Sequence, residues 1–341
     1  MKVRIDKRLV RLLLSAAAVS IGILVLFALI QAVQIRLDQD ASRSAQLSAE
    51  EAYGADTENL TYYNGSWYAM REGLETALII GLDKYQTDME QNSYSNPQQS
   101  DFLLLLIVDH NRQTYTALHL NRDTMTEIPI LGVTGESAGS FTGQLALAHT
   151  YGSGGDDSCK NTVHAVSNLL YGLEIKHYLS VTMDAVAQLN DLVGGVTVEV
   201  LDNFSGIDSS LIQGEMVTLS GEQALTYTRT RYGLEDSSNL RRMERQRQYL
   251  SALETQVKQH AQADENFLVD ATAILSPYLV SDYTAEQISQ INNTVSNDTS
   301  EGIYTLDGQS VQGETYMEFY PDETALQDMV IRLFYERQDM G

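Results

Sequence analysis

The sequence predicts an α/β layered domain carried behind a single membrane-spanning helix. Three observations predict it. Short apolar runs of strand length alternate with longer stretches of helical pattern. The composition, 43% hydrophobic and 20% charged, is that of a chain with a real core. One uncharged stretch near the start is too long for a strand or a core helix.

That stretch, Leu12–Ile35, is nearly all apolar. As a helix it spans roughly 36 Å at about 1.5 Å per residue, against about 30 Å of bilayer hydrocarbon. Lys2, Arg4, Lys7, Arg8 and Arg11 precede it, and positive flanks stay in the cytoplasm. The expectation is a cytoplasmic tail over 1–11, an uncleaved anchor over 12–35 and everything else outside the cell. Residues 36–61 are polar and read as a stalk. The domain proper is expected over 62–341, opening with the aromatic segment Tyr62–Tyr68.

Within the domain, Thr76–Leu82 and Phe102–Val108 are continuous apolar runs, the pattern of strands covered on both faces. Gln113–Leu120 alternates and pairs with the second run through a turn at His110–Arg112. Helices are expected at Leu145–Tyr151 and Asn161–Tyr171, split by a Gly/Asp loop. Tyr178–Thr182 reads as a strand, Met183–Val193 as a helix stopped by Gly194-Gly195, and Val196–Val200 as a strand. Ser220–Tyr227 is a helix opened by a Ser220/Gln223 capping box. Leu240–His260 is helical throughout. Helices near Phe267–Tyr278 and Ala285–Val295, strands near Gly302–Leu306 and Tyr316–Tyr320, and a last helix over Glu323–Glu336 complete the chain.

Charge excludes one class of function. The chain carries 22 basic and 46 acidic residues, a net charge of -24. General nucleic-acid binding needs a broad positive footprint, and this chain has none. A strongly acidic exported domain suits a cell envelope rich in cations. Cys159 is the only cysteine, so no intrachain disulfide forms. The six histidines never fall into zinc-ligand spacing. Gly135–Gly139 spells G-x-S-x-G, but Pro129 interrupts the strand a nucleophile elbow needs, and the segment reads as a polar loop. Gly152–Gly155 lacks the ending of a phosphate-binding loop and reads as a turn.

One concentration of charge stands against the acidic background. Arg229, Arg231, Arg241, Arg242, Arg245 and Arg247 crowd into a short span. Clustered arginines repel unless an anion relieves them, and guanidinium grips phosphate with two parallel hydrogen bonds. Arg242, Arg245 and Gln246 stand at i, i+3 and i+4, on one helical face, whereas Arg241 and Arg247 flank it and are expected to face solvent, serving solubility or local acid pairing. Arg229 and Arg231 converge only if the chain is extended after Tyr227. Ion pairing with Glu235, Asp236 and Glu244 explains the same cluster without a ligand. Two carboxylates sit at strand ends: Asp83 closes the first apolar run and Asp101 opens the second. Such a pair can hold magnesium on phosphates, and each also fits a strand-terminal turn. Arg122 follows the third strand and can stand beside them.

Taken together, Asn121-Arg122-Asp123-Thr124, Gly194-Gly195-Val196, the run from Ser220 to Arg231, and Arg242-Met243-Glu244-Arg245-Gln246 resemble the LytR-CpsA-Psr family. That resemblance implies a central mixed β-sheet flanked by helices, with an apolar tunnel for a lipid tail. It implies an extracellular, membrane-anchored phosphotransferase of Gram-positive envelopes. Such an enzyme moves a teichoic acid, capsule or other wall glycopolymer from a polyprenyl-pyrophosphate carrier onto peptidoglycan. Arg122, Arg229, Arg231, Arg242 and Gln246 would then contact the pyrophosphate, with Arg245 as a further candidate. Asp83 and Asp101 would hold magnesium or manganese, with Asp101 or a neighbour as base. The catalytic set implied is Asp101, Arg122, Arg231 and Arg242. The chain departs from the family at Gln99, where an arginine is usual, and at Asn121, where a proline is usual. The loss of a cation at 99 favours a second reading, a non-catalytic binder or regulator of lipid pyrophosphates or envelope polymers, and the same residues would also serve a third, a pyrophosphate hydrolase with water as acceptor.

Overall fold

A computed structural model describes residues 60–83, 98–131, 137–152 and 154–339. The expected cytoplasmic tail, the anchor over Leu12–Ile35 and nearly all of the expected stalk lie outside the described residues. Among the described residues, no helix is long and apolar enough to cross a membrane.

The chain divides into two compact units. The smaller contains a three-stranded antiparallel sheet. Strand β1 (Leu60–Tyr63) turns through Asn64 and Gly65, both at positive φ, into β2 (Ser66–Met70), and β15 (Tyr335–Gln338) adds to β2. The aromatic segment is therefore a hairpin that starts at Leu60. The expected last helix ends early, at Phe334, because Tyr335–Gln338 is the third strand of this sheet.

The larger unit, Arg71–Phe334, is built on a six-stranded mixed sheet. Its strands are β3 (Leu74–Leu82), β4 (Ser100–Asp109), β5 (Thr114–Leu120), β8 (His177–Thr182), β11 (Leu279–Ser281) and β12 (Thr299–Thr305). They lie in the order β11-β8-β3-β4-β5-β12. The β3-β4-β5 meander is antiparallel, whereas β8 and β12 run parallel to β3 and β5. The two apolar runs are its central strands, buried on both faces as their continuous hydrophobicity requires. The turn between β4 and β5 falls where expected, with Gln113 at φ 55°.

Alternation along these strands assigns two faces. On one, Leu78, Ile80, Leu103, Leu105 and Leu118 are wholly buried. There α1 (Gly155–Leu169) sets Asp156 and Cys159 against Tyr178 and Ser180 of β8. This helix starts at Gly155, so Asp156 and Asp157 lie in its first turn rather than in a loop, where they complement the helix dipole. The segment Leu145–Tyr151 before it is a 3-10 helix, not an α-helix. The other face carries Ala77, Ile79, Gly81, Phe102, Leu104 and Leu106. It lies under α2 (Met183–Leu192), α4 (Asn239–Ala263), α5 (Phe267–Leu275) and α6 (Ala285–Asn297).

Several elements escaped the sequence reading. The described part of the G-x-S-x-G match, Ser137–Gly139, opens the second strand of a hairpin, β6 (Met125–Leu131) with β7 (Ser137–Gln144), rather than a loop; Gly135 and Glu136 lie outside the described residues. Pro129 is tolerated because the hairpin is two-stranded and β6 has a free edge. A second hairpin pairs the expected strand β9 (Val196–Glu199) with the unforeseen β10 (Met216–Leu219), and a third pairs the unforeseen β13 (Gly308–Gln312) with β14 (Met317–Pro321), expected near Tyr316–Tyr320. The β9–β10 hairpin, Phe204, Leu211 and α3 (Gly221–Arg229) share a core with Tyr249 and Leu253 of α4. Helix α3 begins with the predicted capping box: Ser220 and Gln223 satisfy each other's backbone. The last helix, α7, spans Glu323–Phe334.

Candidate active site

The site lies where β3 ends and β4 begins. The β3–β4 ladder slips between Gly81↔Phe102 and Leu82↔Ser100, so Asp101 is the extra residue of a bulge. A bulge re-aims the side chain it contains. Asp83 follows the last residue of β3 directly. The two carboxylates thus stand at one end of the sheet, as their strand-end positions predicted.

Arg122, two residues past β5, donates to Asp101 Oδ1 and to Gln99 Oε1, and its Nε lies 3.6 Å from Asp123 Oδ1. Gln99 therefore fills the place of the missing cation with an acceptor for Arg122. Arg242 enters from the first turns of α4. Its Nη1 is 3.6 Å from Asp101 Oδ1 and its Nη2 donates to the Asp101 carbonyl at 3.1 Å. Burial pulls the Arg242 pKa down to about 10; Asp101 raises it, and Arg231 and Arg122 press it further down. It stays charged at neutral pH.

Two amides orient this pair: Asn121, which the sequence marked only as a departure from the family's proline, and Asn239, which it did not single out. Asn239 Oδ1 accepts from Arg242 Nη2 at 2.6 Å, and Asn239 Nδ2 donates to Asn121 Oδ1 at 2.8 Å. Asn121 Oδ1 also accepts the Asp123 amide at 2.9 Å. The residue that departs from the family's proline thus ties the Arg122 loop to α4. Asp123 is buried, and burial raises its carboxyl pKa; Arg122, Arg231 and Arg242 oppose that rise. Gln144 Nε2 reaches it at 3.2 Å.

Helix α3 ends at Arg229 and Thr230 is extended, which meets the condition for Arg229 and Arg231 to converge. Arg229 pairs with Asp83 at 2.7 Å on the exposed side of the site. Arg231 lies with its guanidinium carbon 5.4 Å from the Tyr232 ring centre, and its charge reaches Asp123 and Arg242.

Two placements, those of Arg245 and Arg247, differ from expectation. Arg245 does not face an open site. It is fully buried, and its guanidinium donates to the Tyr227 carbonyl at 2.9 Å, to the Thr230 carbonyl and to Asp202. It sits one helical turn from Arg242, but on the side where α3 packs, so it holds the turn that carries Arg229 and Arg231. Arg241 takes the acid-pairing role expected of it rather than a purely solvated one: it donates to Glu244 at 2.6 Å, to Asp202 at 2.7 Å and to the Leu201 carbonyl at 2.8 Å. Arg247 is half-buried beside His119, and burial lowers its pKa.

Gln246 joins the cluster to an apolar cavity of about 520 Å³. The cavity runs between the sheet and α2, α4, α5 and α6. Its head is lined by Gly81, Phe102, Thr228 and Gln246. Phe102 adjoins Asp101, Thr228 adjoins Arg229, Gly81 is two residues from Asp83, and Gln246 is one turn from Arg242. A Cβ at Gly81 would lie 2.7 Å from the Phe102 Cβ, so glycine is what lets the two strands meet there. Gln246 Nε2 donates to the Thr228 carbonyl at 3.1 Å. Gln246 Oε1, Arg242 Nε and Arg122 Nε are buried without a hydrogen-bond partner among the described residues. Buried polar atoms are normally satisfied, and unsatisfied ones clustered at one opening mark a place for a polar ligand.

Among the described residues, no group of three or more His, Cys, Asp or Glu forms a metal cage. The donor set still fits magnesium, which takes one or two carboxylates and completes its shell with phosphate and water. Asp83 and Asp101 supply such a pair at the cavity head.

Compared with known proteins, the chain is similar to polyisoprenyl-teichoic acid–peptidoglycan teichoic acid transferase TagU of Halalkalibacterium halodurans. The two are 34% identical over 186 residues, 54% of this chain and 53% of that protein. The Enterococcus faecalis protein of the same name is 27% identical over 231 residues, 68% of this chain and 67% of it. This chain thus spans about half the length of the first of these relatives. In fold it matches B. subtilis TagV with a TM-score of 0.59 and 25% identity, over 77% of this chain and 97% of that one. It matches the structure of TagT bound to LI-WTA at 0.58 and 21%, over 77% and 90%. The model of the LytR_cpsA_psr family matches residues 35–333, and the chain belongs to that family.

Proposed function

We propose that this protein transfers an anionic wall glycopolymer from a polyprenyl-pyrophosphate carrier to a peptidoglycan hydroxyl. The observation that carries the reading is the junction of two unlike surfaces: an apolar cavity of about 520 Å³ whose lining residues Phe102, Thr228 and Gln246 adjoin, in sequence or on the same helix, the arginines and carboxylates suited to a pyrophosphate. A lipid pyrophosphate is the ligand that has both parts. The relatives' names, which specify teichoic acid transfer, agree with it.

In the transfer, the acceptor oxygen attacks the phosphorus that carries the glycopolymer. A new P–O bond forms, the P–O–P bond breaks, and the lipid monophosphate leaves with the electron pair. Negative charge grows on the leaving phosphate. Arg122 and Arg242 are fixed by Asp101, Gln99 and Asn239 before substrate arrives, so they stabilise that charge with little reorganisation. Arg229 and Arg231 reach the same region from the end of α3. The acceptor proton passes to a carboxylate. Asp101 is at the opening, and Asp123, whose pKa burial raises, is the second carboxylate beside Arg122. Magnesium or manganese held by Asp83 and Asp101 would supply further charge neutralisation on the phosphates.

An anchor over residues 12–35, with the domain outside the cell, would bring this opening to the bilayer that holds the carrier. Arg231→Ala and Arg242→Ala are each expected to reduce transfer of a lipid-linked polymer to peptidoglycan by at least ~100-fold, the usual cost of losing one charge-stabilising donor. Transfer is measured as polymer-linked peptidoglycan formed by purified protein with magnesium. Wild-type rates in both variants would overturn the assignment. Release of phosphate without any linked product would favour hydrolysis instead.

A further inference from the structure

The far end of the cavity is closed by one side chain. The floor of the cavity follows β3, with Gly81 at its head and Ile79 behind. The next residues on that face, Ala77 and Glu75, line a separate void of only about 10 Å³. Tyr283 lines both spaces, so it is the partition between them. It follows β11 and precedes the capping residue of α6, Thr284.

The partition is held on both sides. The Tyr283 hydroxyl lies 3.4 Å from Glu75 Oε1, and Glu75 Oε2 lies 2.9 Å from His110 Nε2. The Tyr283 ring stacks on the His177 ring at 4.5 Å and 26°. His177 in turn faces Asp282 at 3.4 Å and Gln287 at 3.3 Å. Behind the tyrosine the small void is mixed: Ala77, Leu106, Val108 and Ile291 offer apolar surface, and Glu75, His110, Gln290 and Thr294 polar groups.

Volume turns the partition into a measure of length. A cavity of about 150 Å³ takes one six-carbon ring. At the same filling, 520 Å³ holds roughly 20 carbons, or about four isoprene units. We propose that Tyr283 is the end-stop of the cavity and sets how many isoprene units of a lipid pyrophosphate are covered. This rests on the reading of the cavity as a lipid-tail site.

The test uses the full-length protein and a series of polyprenyl pyrophosphates, from geranyl through farnesyl and geranylgeranyl to undecaprenyl, with affinity measured for each. Wild-type affinity is expected to climb with length up to about the geranylgeranyl compound and then level off. In Tyr283→Ala it is expected to keep climbing, on the order of tenfold for the next unit that gains cover. Tyr283→Phe keeps the ring and is expected to level off where the wild type does. Thermal melting of each variant checks that it is folded. Should Tyr283→Ala unfold, Tyr283→Leu, with a shorter side chain, carries the same expectation. A folded Ala or Leu variant that levels off with the wild type overturns the end-stop and leaves the functional reading intact. A wild type that binds none of the series overturns the functional reading, and the end-stop with it.

Discussion

The residues of the opening fall into two kinds, and burial separates them. Arg122, Arg242 and Gln246 each keep a buried polar atom without a partner, next to the cavity head. Arg245 keeps none. Its charge is fully desolvated and depends on Asp202, which Arg241 also engages. Removing one member of such a pair strands a buried charge, which costs about 3–5 kcal/mol, whereas replacing both with apolar groups costs far less. Asp202→Ala is therefore expected to lower unfolding stability by about that amount. The double variant Asp202→Leu/Arg245→Met is expected to recover most of it, and urea titration of the three proteins checks both. The sequence showed six arginines and gave no way to tell these kinds apart. Positions i, i+3 and i+4 share a helical face, but spacing does not say which neighbour packs on which part of it. The Asn121–Asn239 contact was invisible for a related reason: two amides far apart in sequence have no signature until the fold joins them.

At the scale of elements, the apolar strands and the capped helices were legible because each carries its own signal. Nine buried or half-buried residues in a row at Leu74–Leu82, or Ser220 three residues before Gln223, need no distant partner to be recognised. The elements that were missed depend on one. Tyr335–Gln338 continues a helical pattern and becomes a strand only because β2 offers it an edge. The hairpin it joins is marginal alone, since two strands in water rarely hold. A chain truncated after Phe334 is expected to lose amide hydrogen-exchange protection over Ser66–Met70, while strands β3 to β5 keep theirs. Equal protection of β2 in both proteins would show that the third strand contributes nothing. The hairpin β6–β7 and strand β13 are similar cases, polar or proline-bearing segments that pair locally and lean on neighbours.

For the whole molecule, one buried group couples stability to pH. His119 lies on β5 on the cavity face of the sheet, 4.9 Å from the Phe102 ring. Burial, with help from Arg247 and Arg242, lowers its pKa from 6.5 to about 3. The folded state thus refuses a proton that the unfolded state accepts. The resulting stability is complete above about pH 6.5 and is lost as pH falls toward 3, by on the order of 4 kcal/mol in all. His119→Phe is expected to flatten the stability profile between pH 7 and 4 relative to wild type. An unchanged slope, read from urea unfolding at each pH, would show that the imidazole is not the group responsible.

By itself the sequence determined the layered α/β class, the central strands, the main helices and the residue types of the site, because periodicity, capping and charge are local. It also placed Asp83 and Asp101 at strand ends, which an antiparallel pairing brings to one end of the sheet. Tertiary structure alone decided which arginines face the opening, that Gln99 bonds to Arg122, and that the cavity head coincides with the charged cluster. It also decided that Tyr283 closes the other end. Those facts arise where segments more than a hundred residues apart meet, and contact between distant segments is set by packing, which no local pattern encodes.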